Sequence, residues 1–170
     1  MFEIKTTRII LRDMAPSDLA AMHRLRTRPE VTEHFDVLHS SSLMETQRWV
    51  QSNIHHNGCK PRLSFNLTMV RLSYGQILGW IGIGPKGEGS EDVLDFGFAV
   101  LPEYWNQGFA TEALRAVIGF AFQHLGAQGV FGECDGDNRA SARVMEKAGL
   151  RRLDFPGKDL CFLIENPKAG

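Results

Sequence analysis

Residues 95–114 of the chain combine a buried strand, a glycine turn and a helix start, an arrangement that can bind an anion through main-chain groups. The first N–H groups of a helix lack partners within the helix and carry a partial positive charge, so phosphate oxygens bind there without Lys or Arg. Gly108 has no Cβ and Ala110 and Thr111 are small, so a diphosphate can approach closely. The candidate phosphate-binding residues are Gln107, Gly108, Phe109, Ala110 and Thr111. An ordinary turn before a helix is the alternative interpretation, because a glycine at this place is a weak signal.

A second segment, residues 137–150 (DNRASARVMEKAGL), supports the anion-binding interpretation. Together the two segments resemble the cofactor-binding core of the GNAT superfamily of acyl-CoA-dependent N-acetyltransferases, and most closely its RimJ/RimL-like branch. The first resembles the branch's YWxxGxATEA signature and the second its NxxSxRVxEKxG signature, while the opening TTRIILR is similar to the branch's first strand.

The resemblance implies an α+β (mixed α/β) GNAT fold, with a central, mostly antiparallel sheet, a splayed parallel strand pair and flanking helices. It implies acetyl-CoA as cofactor, with coenzyme A as product. The backbone of Phe98, Ala99 and Val100 would bond the pantetheine arm, and a main-chain N–H near Val100 would hold the thioester oxygen. The alternative is that this segment is only a strand of the hydrophobic core. A buried strand can belong to the core and also bond the pantetheine arm.

Two helix residues of the second segment are candidates for contact with the cofactor. By the resemblance, Ser141 would reach the thioester sulfur, although a surface serine needs no such role. Asn138 would contact the cofactor or simply cap the helix N-terminus. Many GNAT enzymes have a tyrosine general acid where this chain has Met145. A coenzyme A thiol has a pKa of about 8.5, so its thiolate can leave without a strong acid.

Asp95 is the candidate general base, because the branch often has a carboxylate there, facing the acceptor cleft. The alternative is an ordinary carboxylate at a strand end. Glu112 lies in the first helical turn, where an acid mainly complements the helix dipole.

The implied reaction is direct attack by a primary amine in a ternary complex. Neutralising a lysine at pH 7 costs about 3.4 kcal/mol more than neutralising a peptide α-amine. The weak basic help available therefore favours the α-amine of a protein or peptide N-terminus, or another amine of modest pKa, over a lysine. By the resemblance, polyamines, antibiotics and amino acids are further possible acceptors. A non-catalytic acyl-CoA-binding or sensing domain is the alternative function.

Composition and charge limit the number of domains and the classes of partner. With 170 residues and 43% of them hydrophobic, the sequence predicts a single domain over residues 1–170. A net charge of -1 and the absence of an apolar run of about 20 residues argue against nucleic-acid and membrane partners. The expected partner is a small-molecule or peptide amine, and the chain is expected to be a monomer or homodimer.

Three cysteines without CxxC spacing indicate a reducing compartment, and the cytoplasm is the expected location. No metal site is predicted, because the pair His55 and His56 lacks a third ligand at helical spacing. Cys134 precedes Asn138 by four residues, where it would form a mixed disulfide with coenzyme A or serve as a small buried hydrophobic residue.

The periodicity and turn residues predict an ordered set of elements. Strands are predicted at 8–12, 64–71, 76–84, 93–101, 129–134 and 158–165, and helices at 16–28, 42–57, 108–125 and 138–149. The second to fourth strands, 64–71, 76–84 and 93–101, are expected to form an antiparallel meander through the turn 72–75 and the longer turn 84–90. Strand 129–134 is expected to run parallel to 93–101 because a helix joins them. Loops 33–41 and 84–92 are expected to border the acceptor site.

Overall fold

One mixed sheet of eight strands forms the centre of the molecule, in the order β1-β2-β3-β4-β5-β6-β8-β7. The structure is a computed structural model that describes residues 1–87 and 92–168. The strands are β1 (Glu3–Lys5), β2 (Ile9–Asp13), β3 (Phe65–Arg71), β4 (Ile77–Pro85), β5 (Val93–Val100), β6 (Gly129–Cys134), β7 (Arg151–Leu153) and β8 (Leu160–Glu165). The pair β5 and β6 is parallel, and the other pairs are antiparallel. The expected GNAT sheet, including its antiparallel meander β3-β4-β5, is therefore confirmed.

Within the described residues, five α-helices cover the two faces of this sheet. They are α1 (Leu19–Arg26), α2 (Pro29–Thr32), α3 (Leu43–Gly58), α4 (Phe109–His124) and α5 (Arg139–Ala148). Alternation along β4 and β5 sends Ile81 and Val100 into a large core with α4 and α5, and Trp80 and Ala99 into a smaller core with α1 and α3. No helix in the described residues is long and apolar enough to span a membrane.

Several details differ from the sequence-based expectation. The short edge strands β1 and β7 were missed, because three residues give too little periodicity. The helix predicted at 16–28 ends just before Pro29, and Pro29 itself begins the additional helix α2, as its fixed φ suits a first helical position. Loop 33–41 contains a 3-10 turn, Asp36–Leu38. Residues 88–91 of the predicted 84–90 turn and 84–92 loop lie outside the described residues.

Glu112 ties the start of α4 to the turn between β1 and β2. Its carboxylate accepts hydrogen bonds from Thr6 Oγ1 (2.6 Å), the Arg8 main-chain N–H (2.8 Å) and Arg8 Nε (2.6 Å). Burial by itself would raise the pKa of Glu112, but the bonds from Thr6 and Arg8 outweigh it and lower the pKa below its ordinary value. The acid therefore does more than complement the helix dipole, since it fixes α4 against the sheet.

We expect Glu112→Gln to lower the free energy of unfolding by about 1 kcal/mol at pH 7, because a neutral amide cannot replace these charge-assisted bonds. The pKa of Glu112 is lowered in the folded state, so this stabilisation is complete above the ordinary value of 4.5 and disappears as the pH falls through the folded-state pKa. Urea unfolding of both proteins at pH 7 and at about pH 3 measures the difference. Glu103→Gln, which breaks the exposed pair with Arg24, is the control. An equal loss at both pH values would contradict the role of the Glu112 charge.

Candidate active site

The parallel strands β5 and β6 separate after three residue pairs, and this separation opens the candidate site. The pairs run from Val93 with Gly129 to Asp95 with Phe131, and β5 then continues for five residues without a β6 partner. The ring of Phe96 lies against Gly132, where a Cβ would be only 2.4 Å from the ring. The predicted splayed pair is therefore present, with an open edge along residues 96–100.

Side chains satisfy the backbone at both ends of this open edge. Asp95 Oδ1 accepts the main-chain N–H of Phe96 (2.8 Å), and Trp105 Nε1 donates to the carbonyl of Val100 (2.6 Å). Because main-chain directions alternate along a strand, Phe98 also points its N–H and C=O into the gap, and Val100 its N–H. These groups can pair with a ligand that enters the gap like a strand.

Ala99 does not present its backbone to the gap. Its carbonyl oxygen lies against Gly79 of β4, where a Cβ would be 2.0 Å away, so its main chain pairs within the sheet. Its prediction as a pantetheine-bonding residue is therefore wrong for its main chain, because strand alternation directs neighbouring residues to opposite edges.

The predicted phosphate turn has the backbone that an amide cradle requires. Gly108 has φ +80° and Asn106 φ 58°, both in the left-handed region, and α4 begins directly afterwards. Arg8 Nη1 donates to the carbonyl of Gln107 (2.9 Å), and the Arg8 guanidinium lies 4.6 Å from the ring centre of Phe109. Arg8, in the turn between β1 and β2, therefore holds the phosphate turn, a role that the sequence did not predict.

A single cavity of about 1090 Å³ joins this turn to the gap and to α5. Ten of the eleven predicted site residues line it: Asp95, Phe98, Ala99, Val100, Gly108, Phe109, Ala110, Thr111, Asn138 and Ser141. Gln107 does not line it, because its carbonyl is bound to Arg8 and its side chain donates to the carbonyl of Glu103 (3.1 Å).

The start of α5 places Ser141 on the cavity wall. Asn138 caps the helix, since its side-chain oxygen accepts the main-chain N–H of Ser141 (3.0 Å). The Ser141 hydroxyl makes no hydrogen bond to a described residue and is available to a ligand. Met145, at the position of the usual tyrosine acid, lines the same cavity and is buried.

Three basic residues of α5, which the sequence analysis missed, also line the cavity: Arg139, Arg143 and Lys147. They recur every four residues on one helix face, and none pairs with an acid among the described residues. The signal was present in the sequence as this spacing. These side chains can bind phosphate groups beside the α4 turn.

Asp95 and Cys134 lie on opposite faces of the sheet. Asp95 shares its face with Trp80, and burial raises its pKa, although the N–H of Phe96 and the charge of Lys86 oppose this. Cys134 belongs to the core of α4 and α5 and is 9% exposed, and burial raises the pKa of its thiol to about 11. The mixed disulfide with coenzyme A stays a prediction, and the low thiolate population at pH 7 disfavours it.

No group of three or more His, Cys, Asp and Glu side chains within residues 1–87 and 92–168 is arranged to hold a metal ion. The arrangement instead offers an amide cradle, an open strand edge, a carboxylate and a hydroxyl in one cavity. The model of the Acetyltransferase (GNAT) domain family matches residues 8–151 of the chain.

The chain belongs to the GNAT acetyltransferases. It is an N-acetyltransferase, and the fold of this family binds acetyl-CoA. This GNAT acetyltransferase is 26% identical to the uncharacterized N-acetyltransferase YoaA of Bacillus subtilis over 153 residues, which cover 89% of this chain and 85% of YoaA.

Two solved structures share the fold at lower identity. The RimL ribosomal L7/L12 alpha-N-protein acetyltransferase in complex with coenzyme A has a TM-score of 0.81 and 17% identity, over 96% of this chain and 98% of RimL. The spermidine N-acetyltransferase of Vibrio cholerae in complex with coenzyme A and spermine has a TM-score of 0.78 and 15% identity, over 96% and 98% of the two chains.

We expect the double variant Arg143→Ala with Lys147→Ala to raise the Kd of this acetyltransferase for acetyl-CoA roughly tenfold at low salt, because two phosphate-binding cations are lost. The effect should shrink at ~1 M salt, where screening acts within ~3 Å. Titration calorimetry without an acceptor measures both values. The control is Arg151→Ala with Arg152→Ala, which removes the same charge from β7, outside the cavity. Equal weakening in the two double variants would show that only net charge matters.

Proposed function

We propose that this acetyltransferase transfers the acetyl group of acetyl-CoA directly to the α-amine of a protein or peptide N-terminus, as a member of the RimJ/RimL-like branch. The observation that carries the proposal is the position of Asp95 and Ser141. They line one cavity from opposite faces of the sheet, on either side of the gap between β5 and β6. An amine approaching along the Asp95 face can meet a thioester that enters from the Ser141 face.

The reaction then proceeds in one ternary complex. Asp95 accepts a proton from the attacking amine, whose nitrogen forms the bond to the thioester carbon. The main-chain N–H of Val100 points into the gap and donates to the oxygen that becomes negative. The carbon–sulfur bond breaks, and the Ser141 hydroxyl donates to the thiolate of coenzyme A, which takes a proton from solvent.

Burial makes Asp95 a better base than an exposed aspartate. Its pKa is raised by desolvation, so the carboxylate has a greater affinity for the proton that it receives. A carboxylate is a weaker base than an amine, so it suits an acceptor amine of modest pKa. A peptide α-amine, at about 7.9, requires less help at pH 7 than a lysine at about 10.4.

The fold leaves the acceptor class open, because RimL is an α-N-protein acetyltransferase and the similar Vibrio cholerae enzyme is a spermidine N-acetyltransferase.

A direct assay tests the proposal. Acetyl-CoA is supplied with lysine-free peptides, Nα-blocked lysine peptides and polyamines, and products are identified by a mass increase of one acetyl group. We expect the lysine-free peptides to have the highest kcat/KM. A preference for lysine side chains would refute the α-amine proposal, and acetyl-CoA binding without turnover would indicate a non-catalytic binding domain.

We expect Asp95→Asn to lower kcat about 100-fold, because the amide cannot accept the proton. The wild-type kcat should fall at low pH with a midpoint above the ordinary aspartate value of 3.8, since burial raises the pKa of Asp95. The variant should lose this acidic limb. Steady-state kinetics over pH 4–9 measure both effects.

Glu133→Gln is the control for Asp95, because Glu133 lines the same cavity but pairs with Lys86 at 3.1 Å. Its kcat at pH 8 should stay within about twofold of wild type. If Asp95→Asn kept the acidic limb and the wild-type kcat, another group would be the base.

We expect Ser141→Ala to lower kcat about tenfold while the Kd for acetyl-CoA changes little, because the lost hydrogen bond strengthens only as the sulfur becomes negative. Pre-steady-state kinetics and calorimetry separate the two quantities. The exposed Ser52→Ala on α3 is the control. An increase in Kd with unchanged kcat would assign Ser141 to ground-state binding.

A further inference from the structure

The sheet face that carries Asp95 contains glycines covered by one large indole. Gly82 of β4 pairs with Gly97 of β5, and Gly84 pairs with Asp95. A Cβ at Gly82 would lie 2.7 Å from Trp80 Cζ2, and a Cβ at Gly97 would lie 3.2 Å from Trp80 Cη2. The two glycines therefore make room for the Trp80 ring to lie against the sheet.

The indole of Trp80 is fixed in place but its N–H group is not satisfied. Trp49 meets it edge-on, with ring centres 5.7 Å apart, and Phe35 lies 6.3 Å away. Trp80 lines the cavity and is 9% exposed, and its Nε1 is buried without a hydrogen bond to any described residue. An unpaired buried donor costs about 1–3 kcal/mol, and an indole N–H can only donate.

Asn66 of β3 lies near the edge of the Trp80 ring that carries this N–H, since the Cβ position at Gly82 is 3.4 Å from Trp80 Cε2, the ring carbon bonded to Nε1. Its Oδ1 is 2.9 Å from the Cβ position at Gly82, close to the same edge of the Trp80 ring. Asn57 holds the main chain of Asn66 through two bonds of 2.8 and 3.0 Å, whereas the side-chain amide makes none to a described residue. Trp80 and Asn66 thus form a polar notch in the cavity wall, with donors on both side chains and an acceptor on Asn66.

We propose that the notch of Trp80 and Asn66 hydrogen-bonds a carbonyl oxygen of the acceptor and selects peptides over polyamines. The inference rests on the proposed function and specifies its acceptor. Asp95 lies two residues along β5 from Gly97, roughly 7 Å away. An amine at Asp95 thus brings the carbonyl of its first or second residue to the notch, because each extended residue spans about 3.5 Å.

A polyamine cannot make the same contact. Its protonated amines carry donors only, so they cannot accept from the Trp80 N–H and gain no bond to it. A peptide unit offers a C=O for Trp80 and an N–H for Asn66 Oδ1. The selectivity thus comes from the hydrogen bonds that a peptide gains and a polyamine lacks.

The test compares a lysine-free tetrapeptide with 1,4-diaminobutane in wild type and in Trp80→Phe, which keeps an aromatic ring but removes the N–H. We expect kcat/KM for the peptide to fall about tenfold, while kcat/KM for the diamine and the Kd for acetyl-CoA stay within twofold. For each acceptor, the kcat/KM of the variant is divided by the kcat/KM of wild type. The different amine pKa values of the two acceptors then cancel.

Trp49→Phe is the matched control, because Trp49 contacts the same ring but does not line the cavity. It should not change kcat/KM for one acceptor more than for the other. Asn66→Ala is the second variant, and it should lower kcat/KM for the peptide but not for the diamine. It also replaces Trp80→Phe as the test if urea unfolding shows that Trp80→Phe folds poorly. If wild type acetylates peptides but both variants affect the two acceptors equally, the notch is refuted and the proposed function stands. If wild type acetylates the diamine and not the peptide, both are refuted. If wild type acetylates only the peptide, a loss in Trp80→Phe that exceeds the loss in Trp49→Phe supports the notch, and equal losses refute it.

Discussion

The early end of pairing between β5 and β6 is the constraint on which the site depends. A buried strand edge with free N–H and C=O groups is unfavourable, so each group must find a partner. In this protein Asp95 takes the first N–H of the open edge and Trp105 occupies the last carbonyl. Only the middle of the edge is left for a ligand, which fixes where an extended molecule can pair.

The cofactor half of the cavity is stabilised by contacts distant in sequence. Arg8 donates to Gln107 across a separation of 99 residues, and Glu112 of α4 accepts from Arg8 in the turn between β1 and β2. The turn at Gly108 is thereby held in a left-handed conformation that glycine adopts without steric strain. Backbone amides can then face a diphosphate in a fixed direction, with the unpaired cations of α5 on the neighbouring wall.

In the proposed reaction the sheet separates the two substrates. Alternation along β5 sends Phe96 and Phe98 toward α4 and α5, and sends Asp95 and Gly97 toward Trp80 and Phe35. The proposed chemistry takes place where the gap joins the two faces. The proposed acceptor face combines glycines with aromatic rings and is largely apolar, so its few polar groups would have a strong influence on selectivity.

The sequence by itself determined the features that depend on neighbours along the chain. Ser42 and Asn138 cap their helices through bonds three residues away, and Gly108 and Gly149 take left-handed turns. The period of the apolar residues predicted the meander and the parallel strand, and the two motifs identified the family. These signals are local, because caps, turns and side-chain periods are set by the backbone geometry of a few residues.

The tertiary structure alone decided which distant groups meet. Ala99 was predicted to bond the pantetheine, but only the pairing of β5 with β4 shows that its carbonyl points into the sheet. The contacts of Arg8 with Gln107, and the positions of Asn66 and Trp80 around Gly82, depend on strand order and register. A one-residue change of register would turn every side chain of a strand to the opposite face of the sheet. Packing of the whole sheet, not the local sequence, sets that register.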